Sequence, residues 1–126
     1  MNEVDLLCGK IIGACIEVHK FLGPGLMERV YQQCLCRELN LQGLRYKEEI
    51  PVNLNYKGVE LDVTLRADLM VEEMILVEIK AVNDWNAVYE AQLISYLKLA
   101  NKPAGLLVNF NVPILKDGIK RLFNGM

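Results

Sequence analysis

The apolar positions change period several times along the chain, and each change marks an element. Val4, Leu7, Ile11, Cys15, Val18 and Leu22 recur at three- and four-residue steps, which predicts a helix over 3–20. Leu22-Gly-Pro-Gly25 ends it, because proline and glycine punctuate and glycine tolerates positive φ. A second helix is predicted over 26–41, with Val30, Cys34 and Leu35 on its inner face and Gln42-Gly43 closing it. From Tyr46 to Tyr56 the period drops to two, with Ile50, Val52, Leu54 and Tyr56 on one side. Lys57-Gly58 reads as a turn, after which Val59, Leu61, Val63 and Leu65 continue the alternation. Asn83-Asp84 offers an N-cap for a third helix over 85–101, apolar round much of its circumference and so expected to be largely buried. Pro103 closes that helix, and Gly105–Phe110 is continuously apolar, as in a strand covered on both faces. Ile119–Phe123 reads as a last edge strand.

The stretch Arg66–Ala81 is the one where charge interrupts the apolar pattern. Leu69-Met-Val71 and Met74-Ile-Leu-Val77 are strand-like runs around Glu72-Glu73, which predicts a β-hairpin. Asp68 flanks the first run, and Glu78 and Lys80 end the second. Two apart on a strand, Glu78 and Lys80 point to the same face. Charge among such apolar residues must be paired, bound to a metal or set at a wet cleft, since isolated buried charge is very costly. Register decides whether Asp68 joins them. A two-residue loop puts Asp68 opposite Val77 and sends Glu78 to the other face. A three-residue loop at Glu72-Glu73-Met74, or a bulge, puts Asp68 opposite Glu78, and two carboxylates then converge with an ammonium. Hard cations such as Mg²⁺ favour one or two carboxylates completed by water and phosphate oxygens.

The remaining elements fit one domain over 1–126, an α/β layer around a mixed sheet. With 52% hydrophobic and 24% charged residues the composition is that of an ordinary globular protein. No apolar run approaches the ~18 residues of a membrane span, and the acidic Met-Asn-Glu-Val-Asp start argues against a secretory signal, so a cytoplasmic protein with no membrane partner is expected. The net charge of −2 gives no general attraction to nucleic acid, leaving local basic strips such as Lys116, Lys120 and Arg121, or Arg45 and Lys47. Cys8, Cys15, Cys34 and Cys36 form no C-x₂-C pair and are expected to be reduced thiols; Cys15 and His19, four apart, are the one plausible ligand pair among them.

Two further spacings frame the hairpin. Gly25-Leu-Met-Glu28-Arg-Val-Tyr31 places Glu28 and Tyr31 on one face of the second helix, and Gln92-Leu-Ile-Ser-Tyr96 does the same for Gln92 and Tyr96 on the third. In this order, with Asp68…Glu78-x-Lys80 between them and Leu107-Val-Asn-Phe110 after, they resemble the GxxExxY family of the PD-(D/E)XK nuclease-like superfamily. The resemblance runs from about His19 to Phe123, with one departure at Tyr89, where relatives often carry His.

The resemblance implies a restriction-endonuclease-like αβββαβ core, a mixed central sheet flanked by helices, and a metal-dependent nuclease acting on DNA. Asp68 and Glu78 would hold Mg²⁺ (Mn²⁺ as substitute), with the Ile79 carbonyl as third ligand and Glu28 as a water-mediated or second-metal ligand. Lys80 would orient and help deprotonate the attacking water, while Gln92, Tyr96 and Tyr31 would support the site or touch the DNA backbone. The alternative is a catalytically silent module that binds nucleic acid or protein. A chain this small is also a candidate for a homodimer that encloses a duplex.

Overall fold

The computed structural model describes residues 2–125. Helix α1 (Glu3–Leu22) opens on Asn2, whose side chain accepts from the Asp5 N–H at 2.8 Å, with Glu3 and Asp5 complementing the helix dipole. Helix α2 (Glu28–Leu41) starts two residues later than expected. The delay has a cause: the buried Tyr31 hydroxyl donates to the Gly23 carbonyl at 2.6 Å and accepts from the Leu26 N–H at 3.1 Å, which holds residues 23–26 as a loop. The inner face of α2 is Tyr31, Leu35, Cys36 and Leu39, with Val30 and Cys34 only half-buried, a displacement of the expected face by about one position.

The long strand expected over 46–56 is broken at Glu48-Glu49. Its first piece, β1 (Tyr46–Lys47), pairs with β4 (Leu69–Val71), whereas β2 (Ile50–Tyr56) leaves to form a separate two-stranded sheet with β3 (Val59–Leu65). Pro51, which has no N–H to donate, suits this peripheral ribbon. The main sheet has the order β1-β4-β5-β6-β7, with β5 (Ile75–Lys80), β6 (Ala104–Asn109) and β7 (Ile119–Phe123). Only β5 and β6 run parallel, joined by the crossover through α3 (Val88–Ala100), so the sheet is mixed.

The third helix differs most from expectation. It begins at Val88 after Ala87, not at residue 85, and the Asn86 side chain just before it accepts from the Val88 N–H at 2.9 Å. Nor is it largely buried: only Leu93 and Leu97 are fully covered, while Val88 and Leu99 are 56% and 38% exposed. One helix covering a sheet face alone buries one stripe and leaves the rest to solvent, whatever its composition. The contact is close, since a Cβ on Gly105 would sit 3.0 Å from Leu93 Cδ2.

Successive residues of β5 divide the core. Ile75, Val77 and Ile79 join α1 and α2 in a large apolar cluster, and Leu76 joins Leu93, Leu97 and Leu107 in a smaller one under α3. Glu78 and Lys80 follow Leu76 in the period-two pattern and therefore lie on the α3 face.

Candidate functional site

The β4–β5 hairpin takes the three-residue loop. Leu69 pairs with Val77, Met70 with Leu76 and Val71 with Ile75, leaving Glu72-Glu73-Met74 as the turn. Glu72 and Glu73 both occupy the left-handed region (φ 53° and 56°), and the Met74 N–H closes the turn on the Val71 carbonyl at 3.0 Å. Such backbone is unfavourable for glutamate by about 1 kcal/mol or more per residue. Outside contacts hold the turn: the Arg45 N–H donates to the Glu72 carboxylate at 2.6 Å and the Glu72 N–H to the Arg45 carbonyl at 2.9 Å. Continuing this register sets Asp68 opposite Glu78.

There the ladder gives way to side chains. The Asp68 N–H donates to Glu78 Oε1 at 2.8 Å, and the Ile79 N–H donates to Asp68 Oδ2 at 2.7 Å. Each carboxylate thus spends one oxygen on a main-chain donor and keeps the other free. Lys80 Nζ lies 3.9 Å from Glu78 Oε2, with Lys80 and Glu78 side chains only 18% and 6% exposed. In an extended strand the N–H and C=O of one residue point to the same side, so the Ile79 carbonyl also faces the Asp68 edge.

Two acids against one ammonium leave an excess of negative charge in a partly dry place. Burial pushes the Glu78 carboxyl up to about 7, helped by the charge of Asp68 and opposed by the Asp68 N–H and Lys80. Burial also raises Asp68, against the pull of the Ile79 N–H. Glu28, exposed at the start of α2, adds its charge to the rise at both carboxyls, which places it within electrostatic reach of the pair. A divalent cation suits this donor set, one buried and one half-buried carboxylate with a carbonyl beside them. No three His, Cys, Asp or Glu side chains among the described residues form a cage by themselves, so water and ligand oxygens would complete the coordination. Asp68 also lines a neighbouring cleft of about 550 Å³ with Gln32, Glu48 and Arg66, which Glu78 and Lys80 do not line.

The neighbouring positions divide between shaping the site and facing it. Tyr31 is fully buried, stacked on Phe110 with centroids 4.4 Å apart, and its hydroxyl is taken up by the 23–26 loop; it sets where α2 and Glu28 begin and does not face the cleft. Gln32, one position on, donates to the Asp68 carbonyl at 3.3 Å and ties α2 to the site. On α3, Tyr89, Gln92 and Tyr96 form one stripe (i, i+3, i+7). Tyr96 is half-buried against the cluster of Ile50, Leu65 and Ala67 that leads into Asp68, while Gln92 is exposed. Tyr89, the departure in the sequence, lies under the site lysine, its ring centroid 4.5 Å from Lys80 Nζ. Periodicity had no means of finding that contact, which depends on the crossover bringing the first turn of α3 back over the end of β5.

The basic strips do not assemble. Lys120 pairs with Glu90 and Arg121 with Asp5, on opposite faces of β7, while Arg45 pairs with Glu72 and Lys47 with Glu73. Cys15 and His19 are not a ligand pair: burial holds the Cys15 thiol up at about 12, and His19 Nε2 is bonded to the Val112 carbonyl at 2.8 Å. No described helix is long and apolar enough to cross a membrane.

Comparison with known proteins bears on the family and the fold. A family profile described as the PD-(D/E)XK nuclease superfamily matches residues 5–122. Among solved structures, the crystal structure of SSO0001 superposes with a TM-score of 0.54 at 22% identity, over 78% of this chain and 50% of that one, a likeness of fold. The chain thus spans about half the length of that relative. No curated protein matches it by sequence.

Proposed function

The chain belongs to the PD-(D/E)XK nuclease superfamily, and from that membership we propose that it is a metal-dependent nuclease that hydrolyses phosphodiester bonds of DNA at the Asp68–Glu78–Lys80 site. The observation that carries this reading is the reciprocal pair of bonds across the hairpin, Asp68 N–H to Glu78 and Ile79 N–H to Asp68. They aim two carboxylates at one point beside an ammonium and leave them undercompensated. An ion pair serving stability alone has no use for a second acid that raises the first.

In this reading Asp68, Glu78 and the Ile79 carbonyl hold Mg²⁺ or Mn²⁺, with Glu28 reaching the same centre through water. The cation supplies Lewis acidity toward the phosphate and lowers the pKa of water near it. Lys80 contributes N–H donors that orient the attacking water and neutralise charge gathering on the phosphate oxygens. Gln92 and Arg66 are the exposed polar groups nearest in sequence and stripe to serve the DNA backbone, and Tyr96 supports them from the smaller core.

The test is a cleavage assay on single-stranded, duplex and forked DNA, and on RNA, with Mg²⁺ or Mn²⁺. Cleavage of DNA that disappears with EDTA and in Asp68→Ala is expected. Activity that never exceeds the Asp68→Ala control would instead mark the chain as a silent binding module.

Tyr89 is a positioning residue in the same scheme, since its ring face holds the Lys80 ammonium. Tyr89→Phe keeps that face and should cleave within about twofold of the parent. Tyr89→Leu should lose about 5- to 30-fold, the worth of a partly desolvated cation–π contact. Equal rates for Phe and Leu in folded variants, checked by melting, would show that the ring is packing only.

A further inference from the structure

Beyond Tyr89 the loop between β5 and α3 carries Trp85, the one tryptophan of the chain. It is 37% exposed, yet it is fixed on three sides. Its Nε1–H donates to Glu90 Oε2 at 3.2 Å, it meets the Tyr89 ring edge to face at 5.2 Å, and Lys120 Nζ lies 5.9 Å from its centroid. Lys120 also reaches Glu90 Oε2, at 3.4 Å, so the cation over one side of the ring and the indole N–H share one carboxylate, and the other side of the ring is the one open to stacking. Covering Tyr89 does not require this arrangement; a leucine would do as much.

Trp85 and Lys120 form part of a cleft of about 350 Å³, with Asn83, Asn109 and Asp117 on its other walls, a size within the range of small-ligand sites. The amides are held in place. Asn109 bonds Val82 through both ends of its side chain and accepts from the Asn111 N–H, and the Asn111 amide donates to Asn83 Oδ1 at 2.5 Å. Asn109 is also the register partner of Lys80 across β5 and β6, so the cleft begins beside the lysine of the candidate site. A preformed aromatic wall, fixed amides and one cation suit a planar, polar-edged ligand with a phosphate attached. Asp117 disfavours the phosphate itself inside the cleft and suits the hydrogens of a base.

We propose that this cleft receives an unpaired nucleobase of the substrate strand, stacked on Trp85 with Lys120 beside its phosphate, and that the substrate class is therefore a single strand or frayed end. Bases within an intact duplex have both faces occupied and cannot stack on a protein ring without being extruded. The inference rests on the hairpin reading only for the position of the cut; base binding stands or falls separately.

Trp85 is its own reporter. The intact chain in EDTA is titrated with a ten-residue oligothymidylate, an abasic strand of equal length and a blunt duplex, while tryptophan fluorescence and strand anisotropy are read. Oligothymidylate should quench Trp85, the abasic strand and the duplex far less. Trp85→Ala should weaken oligothymidylate binding about 5- to 150-fold, the loss that follows removal of one stacked base, and Trp85→Phe should recover most of it. Equal quenching by the abasic strand, or undiminished binding by Trp85→Ala, overturns the proposal. Should the alanine variant fail to fold, the abasic comparison on the parent still decides. Cleavage with Trp85 unresponsive removes this inference and keeps the nuclease reading, whereas base-dependent quenching without cleavage does the reverse.

Discussion

Replacing Glu78 by Gln is expected to cost about 10³-fold or more in cleavage and, at the same time, to make the metal-free protein more stable above pH 7. The two effects have one origin. Glu78 is 6% exposed at its side chain, and burial together with the neighbouring Asp68 charge pushes its carboxyl up to about 7 from 4.5. The folded chain therefore holds that proton more tightly than the unfolded chain does, and stability falls as pH rises. The contribution is fully present below about pH 4.5, is lost progressively up to about pH 7, and is flat beyond. At about 1.4 kcal/mol per factor of ten in proton affinity, the loss is about 3 kcal/mol. Glutamine keeps the shape and an acceptor for the Asp68 N–H but never ionises, so its stability should fall less across this window, by what the raised Asp68 carboxyl alone contributes. Urea denaturation in EDTA from pH 5 to 8 measures both proteins, and parallel pH slopes would show that the buried charge is not what destabilises the parent. Adding Mg²⁺ or Mn²⁺ above pH 7 should stabilise the parent more than the Gln variant, because the cation offsets the Glu78 charge that only the parent carries.

Lys80→Ala should separate binding from chemistry. Lys80 sits 3.9 Å from Glu78 Oε2, close enough to repel a cation held by the acids. Its removal should leave Mn²⁺ affinity unchanged or raised in calorimetry, whereas Asp68→Ala should weaken it. Cleavage should nonetheless fall by about 10²–10³-fold in Lys80→Ala, the scale of one lost electrostatic stabiliser at a reacting phosphate. Equal loss of metal in the two variants would undo the division of roles. Cleavage at the parental rate would reduce Lys80 to an ion-pair partner of the two acids.

Most of the site was legible because its signals are local. The Glu78-x-Lys80 spacing fixes a shared face by strand period alone, and the loop at Glu72–Met74 was one of two registers the sequence allowed. What chose between them is tertiary: Arg45, twenty-seven positions away, binds Glu72 through main chain and side chain and holds the left-handed turn. The same limit explains the misplaced start of α3. Asn83 reads as a cap, but its side-chain oxygen is taken by Asn111, and the Val88 N–H at the helix start is met by Asn86 instead. The break at Glu48-Glu49 falls in the polar run Lys47-Glu48-Glu49, where the alternation lapses, but only the pairing with β4 decides where β1 ends. Tyr89 is the clearest case. Its place on the stripe with Gln92 and Tyr96 follows from helical period, but its contact with Lys80 requires the whole β5–α3 crossover.

The alternation of β5 has a consequence for how this scaffold tolerates change. Its inward residues, Ile75, Val77 and Ile79, anchor the larger cluster with both N-terminal helices, while Glu78 and Lys80 sit on the face with the thinner cover. Robustness and chemistry are thus written on opposite sides of one strand. Substitutions at Glu78 and Lys80 fall on the side with the smaller cluster, and neutralising Glu78 there is expected to relieve the fold. Selection for folding alone would therefore not preserve the acids; it would favour their loss. In the proposed reading the fold carries that cost for the sake of the metal site.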